Sequence, residues 1–329
     1  MINRNIIVLG FVSFFTDMAS SIVTVKNMFK KKIWSMIIIF LTTISLQAKD
    51  NIEVYHAYGN AHHVIVQGRM LHKKEFTKVS SNDGWFRNLW RRAKQIESDE
   101  ISDAKIVANI QGEKFSVKSD DEGYFEFNIT VTKILKTGYI DMNLTIENNN
   151  YPKHILVTII GNQKLMGIIS DFDDTIIISD VTNKIKLANN TLFKNYKQRE
   201  VVSGMVNRFN EILAQNHKDI PSTLFILSGS PQQLFIPVEA FLKYHNFPKY
   251  TLILKKAHGA NKDPLTDQFA YKTQKIERLI KLYPHIEWVM FGDSGEKDKE
   301  VYQFIKKKYP SNVKAYYIQD VDSGEIRVF

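Results

Sequence analysis

Five apolar runs constrain this 329-residue chain more than any other feature of it. LMGIIS, TLFILS, TLILK, WVMFG and KAYYIQ follow one another after Gln163, separated by stretches of helical character near 200–217, 231–245, 268–283 and 297–309. A run that is apolar throughout has no face for water, so both its sides must be covered, and the segments between the runs are what can cover them. Buried strands alternating with helices predict an α/β fold with a parallel sheet wound on both faces. Ligands on such sheets bind beyond the carboxyl ends of the strands, which makes the residues where each run stops the candidates for chemistry.

The first run stops at Asp171-Phe172-Asp173-Asp174-Thr175. In an extended chain residues i and i+2 point the same way, so Asp171 and Asp173 can face one site. A carboxylate taken out of water needs a cation, hydrogen-bond donors or solvent, and otherwise changes its protonation state. The second run ends at Ser228 with Gly229 after it, a hydroxyl and exposed N–H groups ahead of a helix that would suit a phosphate. Lys272 opens the helical stretch YKTQKIERLIKLY, and the fourth run delivers Asp293 and Asp298 into the loop GDSGEKD. Each of these residues alone reads as a cap, a turn former or a solvated side chain. An acidic pair, a serine, a lysine and a second acidic pair in that order is a stronger signal than any one of them.

The series resembles the four motifs of the haloacid dehalogenase superfamily, most of whose members are magnesium-dependent phosphatases. ISDFDDTIIIS, LSGSPQQLF and FGDSGEKDKEVY are similar to the catalytic domain of the actin-patch-protein phosphatidate phosphatase family, over about Gln163 to Phe329. The resemblance implies a Rossmann-like parallel sheet of the haloacid dehalogenase type without a large cap, preceded by an all-β sandwich. One position departs from it: an aromatic residue is expected after Pro231, where this chain has Gln232, and that weakens any transfer of substrate identity.

By this resemblance Asp171 is the nucleophile that forms an aspartyl-phosphate, and Asp173 is the general acid and then the general base. Mg²⁺ would be held by the Asp171 carboxylate, the Asp173 backbone carbonyl and Asp293. Asp298 would orient a metal-bound water or hold Lys272, while Ser228 and Lys272 would hold the phosphoryl oxygens. Thr175 is assigned to loop geometry and Asp174 receives no role. The implied activity is hydrolysis of a phosphomonoester, with phosphatidate or a related lipid phosphate as substrate. Alternatives are a phosphatase of small soluble monoesters, or an envelope binding module with an auxiliary phosphatase domain.

Upstream, residues 49–163 carry seven short runs with apolar and polar residues alternating, the pattern of half-buried antiparallel strands in a β-sandwich. SDDEGY at 119–124 is a turn between two of them and a hairpin signal. Residues 164–329 form the phosphatase domain, and residues 1–48 an N-terminal hydrophobic region. From Met28, MFKKKIWSMIIIFLTTISLQAKD has the basic start, apolar run and small residue of a signal peptide, so Met28 reads as the biological start. The expected location is periplasmic or extracellular, with membrane anchoring if the segment stays uncleaved. Residues 1–25 resemble the start of the first helix of a major-facilitator transporter and are assigned no function.

Five basic residues against Asp17 in residues 1–48 account for nearly half of the net charge of +9, so the remainder is only mildly basic. That balance excludes no anionic substrate and gives no footprint for nucleic acid. The chain has no cysteine, which rules out disulfides and a lipoprotein anchor, and its nine histidines show no ligand spacing. WFRNLWRRAKQI at 85–96 has the make-up of a basic amphipathic helix that either lies on an anionic bilayer or packs on its own sandwich. Lys255, Lys256 and His258 are expected to flank the entrance of an open site or to be ordinary surface residues. No obligate protein partner is implied.

Overall fold

A computed structural model of the chain describes residues 50–72, 100–147, 152–178, 196–257, 263–264, 267–321 and 323–329. The signal segment, the amphipathic stretch 85–96, His258 and most of the segment between Asp174 and the first helix lie outside these residues. Among the described residues no helix is long and apolar enough to cross a membrane.

The first half of the chain forms strands β1 (Asp50–Gly59), β2 (His63–His72), β3 (Lys105–Ile110), β4 (Glu113–Lys118), β5 (Tyr124–Thr130), β6 (Gly138–Ile146) and β7 (Lys153–Ile159). Alternate residues from them, among them Val64, Val66, Ile106, Ala108, Phe125, Phe127, Met142, Leu144, Val157 and Ile159, fill one buried core. That is the period of two expected of strands with one face inward. The expectation of two sheets face to face is corrected, because all seven strands belong to one sheet of order β4-β3-β6-β7-β1-β2-β5. A short parallel pairing, Tyr58 with Thr158 and Gly59 with Ile159, joins the two halves. The edge strands β4 and β5 then come into contact, so the sheet is rolled nearly into a barrel. Alternation specifies which residues face inward, and a seam of two residue pairs leaves no mark on it.

The hairpin expected at SDDEGY is also corrected. The turn is there, with the Asp120 carboxylate accepting from the N–H of Glu122 at 3.1 Å and of Tyr124 at 2.9 Å. The strands it connects, however, are the two edges of the sheet and do not pair with each other.

The second half contributes β8 (Leu165–Ser170), α1 (Met205–Leu213), β9 (Leu224–Pro231), α2 (Phe235–Tyr244), β10 (Thr251–Lys255), α3 (Gln268–Leu282), β11 (Ile286–Asp293), α4 (Asp298–Lys308), β12 (Val313–Gln319) and β13 (Ile326–Val328). The five apolar runs are β8 to β12, in the order β10-β9-β8-β11-β12 with β13 at the edge. All pairings are parallel except that of β12 with β13. Neighbouring residues of each strand enter different cores. Ile168, Leu224, Ile226, Leu252 and Phe291 pack with α1 and α2, through Phe209, Val238 and Phe241 among others. Ile169, Phe225, Leu227, Ile253 and Met290 pack on the opposite face with α3 and α4, through Ile276, Leu279, Val301 and Ile305 among others.

The connections after β8 and β9 therefore cover one face and those after β10 and β11 the other. The direction of winding reverses between the adjacent strands β8 and β11, where the loops diverge and leave a crevice at the carboxyl ends. The two sheets pack together within one unit spanning Lys49–Phe329. Tyr58 of β1 meets Phe225 of β9 with ring centroids 5.5 Å apart, and the Tyr283 hydroxyl donates to the carbonyl of Gly59 at 3.1 Å. Ion pairs Arg278–Glu126 at 2.6 Å and Lys256–Asp120 at 2.7 Å bridge the sheets as well.

Gly167 sits inside β8, where a Cβ would lie 2.5 Å from Ile286 and 2.6 Å from the Trp288 ring. Gly167→Ala is therefore expected to destabilise the protein by about 1–3 kcal/mol through overpacking, measured by denaturant unfolding.

Candidate active site

The end of β8 carries the chain out of the sheet at Asp171, whose N–H still donates to Phe291 of β11 at 2.8 Å. Beyond it the backbone turns tightly: the N–H groups of Ile176 and Ile177 both reach the carbonyl of Phe172, and Asp174 N–H donates to Ile177 at 2.9 Å. Asp174 takes φ of +53°, a left-handed conformation that aspartate tolerates better than most residues. Thr175 is buried in this turn, and its hydroxyl makes no hydrogen bond among the described residues.

Lys272 enters from the start of the second turn of α3, a helix capped by the Asp267 carboxylate on Ala270 N–H at 2.9 Å. Its ammonium is buried and contacts Asp298 Oδ1 at 2.5 Å, Asp171 Oδ1 at 2.9 Å and Glu296 Oε2 at 3.0 Å. Asp298, at the start of α4, uses its other oxygen to accept from Asp293 N–H at 3.2 Å. That contact needs Gly292, because a Cβ there would lie 2.5 Å from Asp298 Cβ. Asp293 at the end of β11 accepts from the N–H groups of Gly295 and Glu296 through Oδ1.

Asp171, Lys272, Asp293 and Asp298 thus come together at the crevice between β8 and β11. Asp173 and Ser228 lie beside that cluster and face each other. The Asp173 carboxylate accepts from Ser230 Oγ at 3.0 Å and, at a long 3.4 Å, from Ser228 Oγ. Ser228 Oγ also accepts from Ser230 N–H at 2.9 Å, and Tyr271 donates to the Ser228 carbonyl at 3.1 Å.

Three further polar residues stand at or beside the cluster. Ser230 and Glu296 stand inside motifs already singled out, in SGSP and GDSGEKD, but a spacing pattern does not say which polar residue of a loop turns inward. Arg199 has no motif around it; burial lowers its pKa and the charges of Asp173 and Asp174 oppose that. Lys255 is not a surface lysine: it is 3% exposed, over the Tyr271 ring at 5.0 Å. Lys256 pairs with Asp120 across the two sheets, and Gln232 is buried with its amide toward Gln67 at 3.3 Å.

The cluster carries surplus negative charge. Burial pushes the Asp171 carboxyl well above its ordinary range, against the pull of Lys272. Burial, with Asp298 and Glu296, raises Asp293 to about 8. Burial raises Asp298 too, again opposed by Lys272. For Lys272 burial disfavours the charge, but Asp171, Asp298 and Glu296 outweigh it and hold the ammonium well above its ordinary value.

Asp171 Oδ2 and Asp293 Oδ2 are buried and have no hydrogen-bond partner among the described residues, an expensive state for a carboxylate oxygen. Asp171, Asp293 and Asp298 can each offer an oxygen within 4.8 Å of the others. Such a set fits a hard divalent cation with oxygen ligands. Since both oxygens of Asp298 are already engaged, Asp171 and Asp293 are the side chains with an oxygen left to give.

Residues 166–320 match the family model described as Phosphatidate phosphatase APP1, catalytic domain. Over 155 residues the chain is 29% identical to Phosphatidate phosphatase APP1 of Saccharomyces cerevisiae, covering 47% of this chain and 26% of that protein. Over 233 residues it is 23% identical to an uncharacterized protein of Schizosaccharomyces pombe, covering 69% of this chain and 37% of that one. The chain thus spans about a quarter to somewhat over a third of the lengths of these relatives. A carbohydrate acetylesterase structure from Xanthomonas citri shares 9% identity over 83% of this chain and 68% of its own, with a TM-score of 0.28, which carries no argument. The second half of the chain is therefore similar to a phosphatase catalytic domain.

The raised Asp293 has a measurable consequence. Between its unfolded value of 3.8 and its folded value of about 8, the folded chain holds a proton that the unfolded chain has lost. The stability from this group therefore falls as pH rises from 3.8 to about 8, and a divalent cation held by this carboxylate would take the place of the proton. Mg²⁺ is therefore expected to raise the melting temperature more at about pH 9 than at about pH 6, with proton release on binding near neutral pH, both measurable by calorimetry.

Proposed function

We propose that this chain is a Mg²⁺-dependent phosphomonoesterase of the haloacid dehalogenase type, acting on phosphatidate or a related lipid phosphate through an aspartyl-phosphate. The observation that supports it best is the pair Asp171 and Asp293 at the ends of adjacent strands. Each has a buried carboxylate oxygen without a partner among the described residues, and both lie within the residues matched by the phosphatidate phosphatase catalytic model.

In this reading the carboxylate of Asp171 attacks phosphorus, the ester P–O bond breaks, and Asp173 delivers its proton to the leaving alkoxide. Asp173 then takes a proton from water, which attacks the aspartyl-phosphate and releases inorganic phosphate, restoring Asp171. Ser230 and Ser228 hold Asp173 in place for both transfers. Lys272, aided by Asp298, fixes the orientation of Asp171 and supplies positive charge beside the phosphoryl oxygens. Asp171, Asp293 and the Asp173 carbonyl would hold Mg²⁺, which when bound offsets the repulsion between an anionic nucleophile and an anionic phosphate. The amino-terminal sheet has no catalytic part here and supports β9, β10 and α3 from outside.

Asp171→Asn is expected to reduce phosphate release at least about a thousandfold while leaving the fold intact, and Mg²⁺ chelation to do likewise. Comparing phosphate release from phosphatidate in mixed micelles with release from soluble monoesters tests the substrate class. Faster turnover of soluble esters replaces the lipid reading with the soluble one. Export is proposed from the signal-like segment after Met28. Sequencing the mature amino terminus tests Met28 as the start of the chain, and a terminus upstream of Met28 refutes that start.

A further inference from the structure

An ammonium group has three N–H donors, and all three on Lys272 are taken by carboxylates of the protein itself. None remains for a phosphoryl oxygen, although the proposed reaction needs this charge beside one. One of the three carboxylates must therefore give way. Asp298 is fully buried, and its departure would leave Asp293 N–H without an acceptor. Asp171 is 2% exposed and is the proposed nucleophile.

Glu296 differs from both. Its side chain is 27% exposed, it stands in the loop between β11 and α4, and its contact of 3.0 Å is the longest of the three. The charge of Glu296 also acts on the buried Lys255 at the end of β10.

We infer that Glu296 is a displaceable stand-in for the substrate, occupying on Lys272 the place that a phosphoryl oxygen takes. This rests on the phosphatase reading for the identity of the ligand. An incoming anion must replace one negative charge beside a buried ammonium. Between turnovers the glutamate keeps the buried ammonium satisfied, and it weakens every anion that has to displace it.

The test is equilibrium titration of the full chain, with Mg²⁺ present, using inorganic phosphate and, separately, dimethyl phosphate as probes. Glu296→Gln and Glu296→Ala are compared with the unaltered protein, and Glu300→Gln on α4 serves as a control. Both Glu296 variants are expected to bind phosphate about two- to fivefold more tightly, the scale of losing one partly exposed ion-pair competitor. Dimethyl phosphate is expected to gain by a similar factor, because the same competitor is removed for both anions, with no change in the control. Phosphate affinity that stays the same or falls in the folded Gln variant overturns the inference, as does failure of every form to bind phosphate. A chain that binds phosphate in the expected pattern but hydrolyses no monoester overturns the enzymatic reading alone. Turnover with unchanged phosphate affinity in the variants overturns the role of Glu296 alone.

Discussion

A single buried ammonium holds the carboxyl ends of the second sheet together. Lys272 comes from α3, Asp171 from β8, and Glu296 and Asp298 from the loop and helix that follow β11. Burying Asp171 and Asp298 without this cation would leave carboxylates uncompensated, a loss of about 3–5 kcal/mol for a broken buried pair. The ion pair and the sheet depend on each other, since β8 and β11 must be neighbours for one lysine to reach both.

That adjacency follows from the winding. The helices after β8 and β9 pack on one face and those after β10 and β11 on the other, so β8 and β11 meet where the chain changes sides. Carboxylates at that point have access to a crevice while their backbones stay tied into a sheet buried on both faces. Rigid mounting and open access, which usually conflict, are reconciled by placing Asp171 one residue past the last paired position of β8 and Asp293 at the last paired position of β11. Charge surplus is then a property of the site: Lys272 cannot neutralise four carboxylates, and the orphaned oxygens of Asp171 and Asp293 mark where a further cation fits.

The amino-terminal sheet reaches this arrangement from behind. Tyr58 and Ile65 point away from their own core into the one shared with α3. Lys256 and Gln232, residues that follow strand ends of the second sheet, make their polar contacts with Asp120 and Gln67 of the first. The position at which Gln232 departs from the family pattern is thus a contact between the sheets, which gives its amide a structural use.

Much of the second sheet was legible in the order of residues, because runs such as TLFILS and TLILK are apolar on both faces and can only be covered strands. The polar residues at their ends were legible as candidates for the same reason: a buried run that stops on Asp171 or Asp293 has to bring its charge somewhere. Alternation likewise identified the strands of the first sheet and their inward faces. What tertiary structure alone decided is which groups meet. The pairing of β7 with β1 that makes one rolled sheet, the placement of β4 and β5 at opposite edges, the burial of Lys255, and the turning of Ser230 and Glu296 toward Asp173 and Lys272 depend on contacts between residues distant in the chain. Local periodicity reports the direction a side chain takes from its own backbone, whereas a partner, and with it a charge state and a role, is set only when separate elements pack.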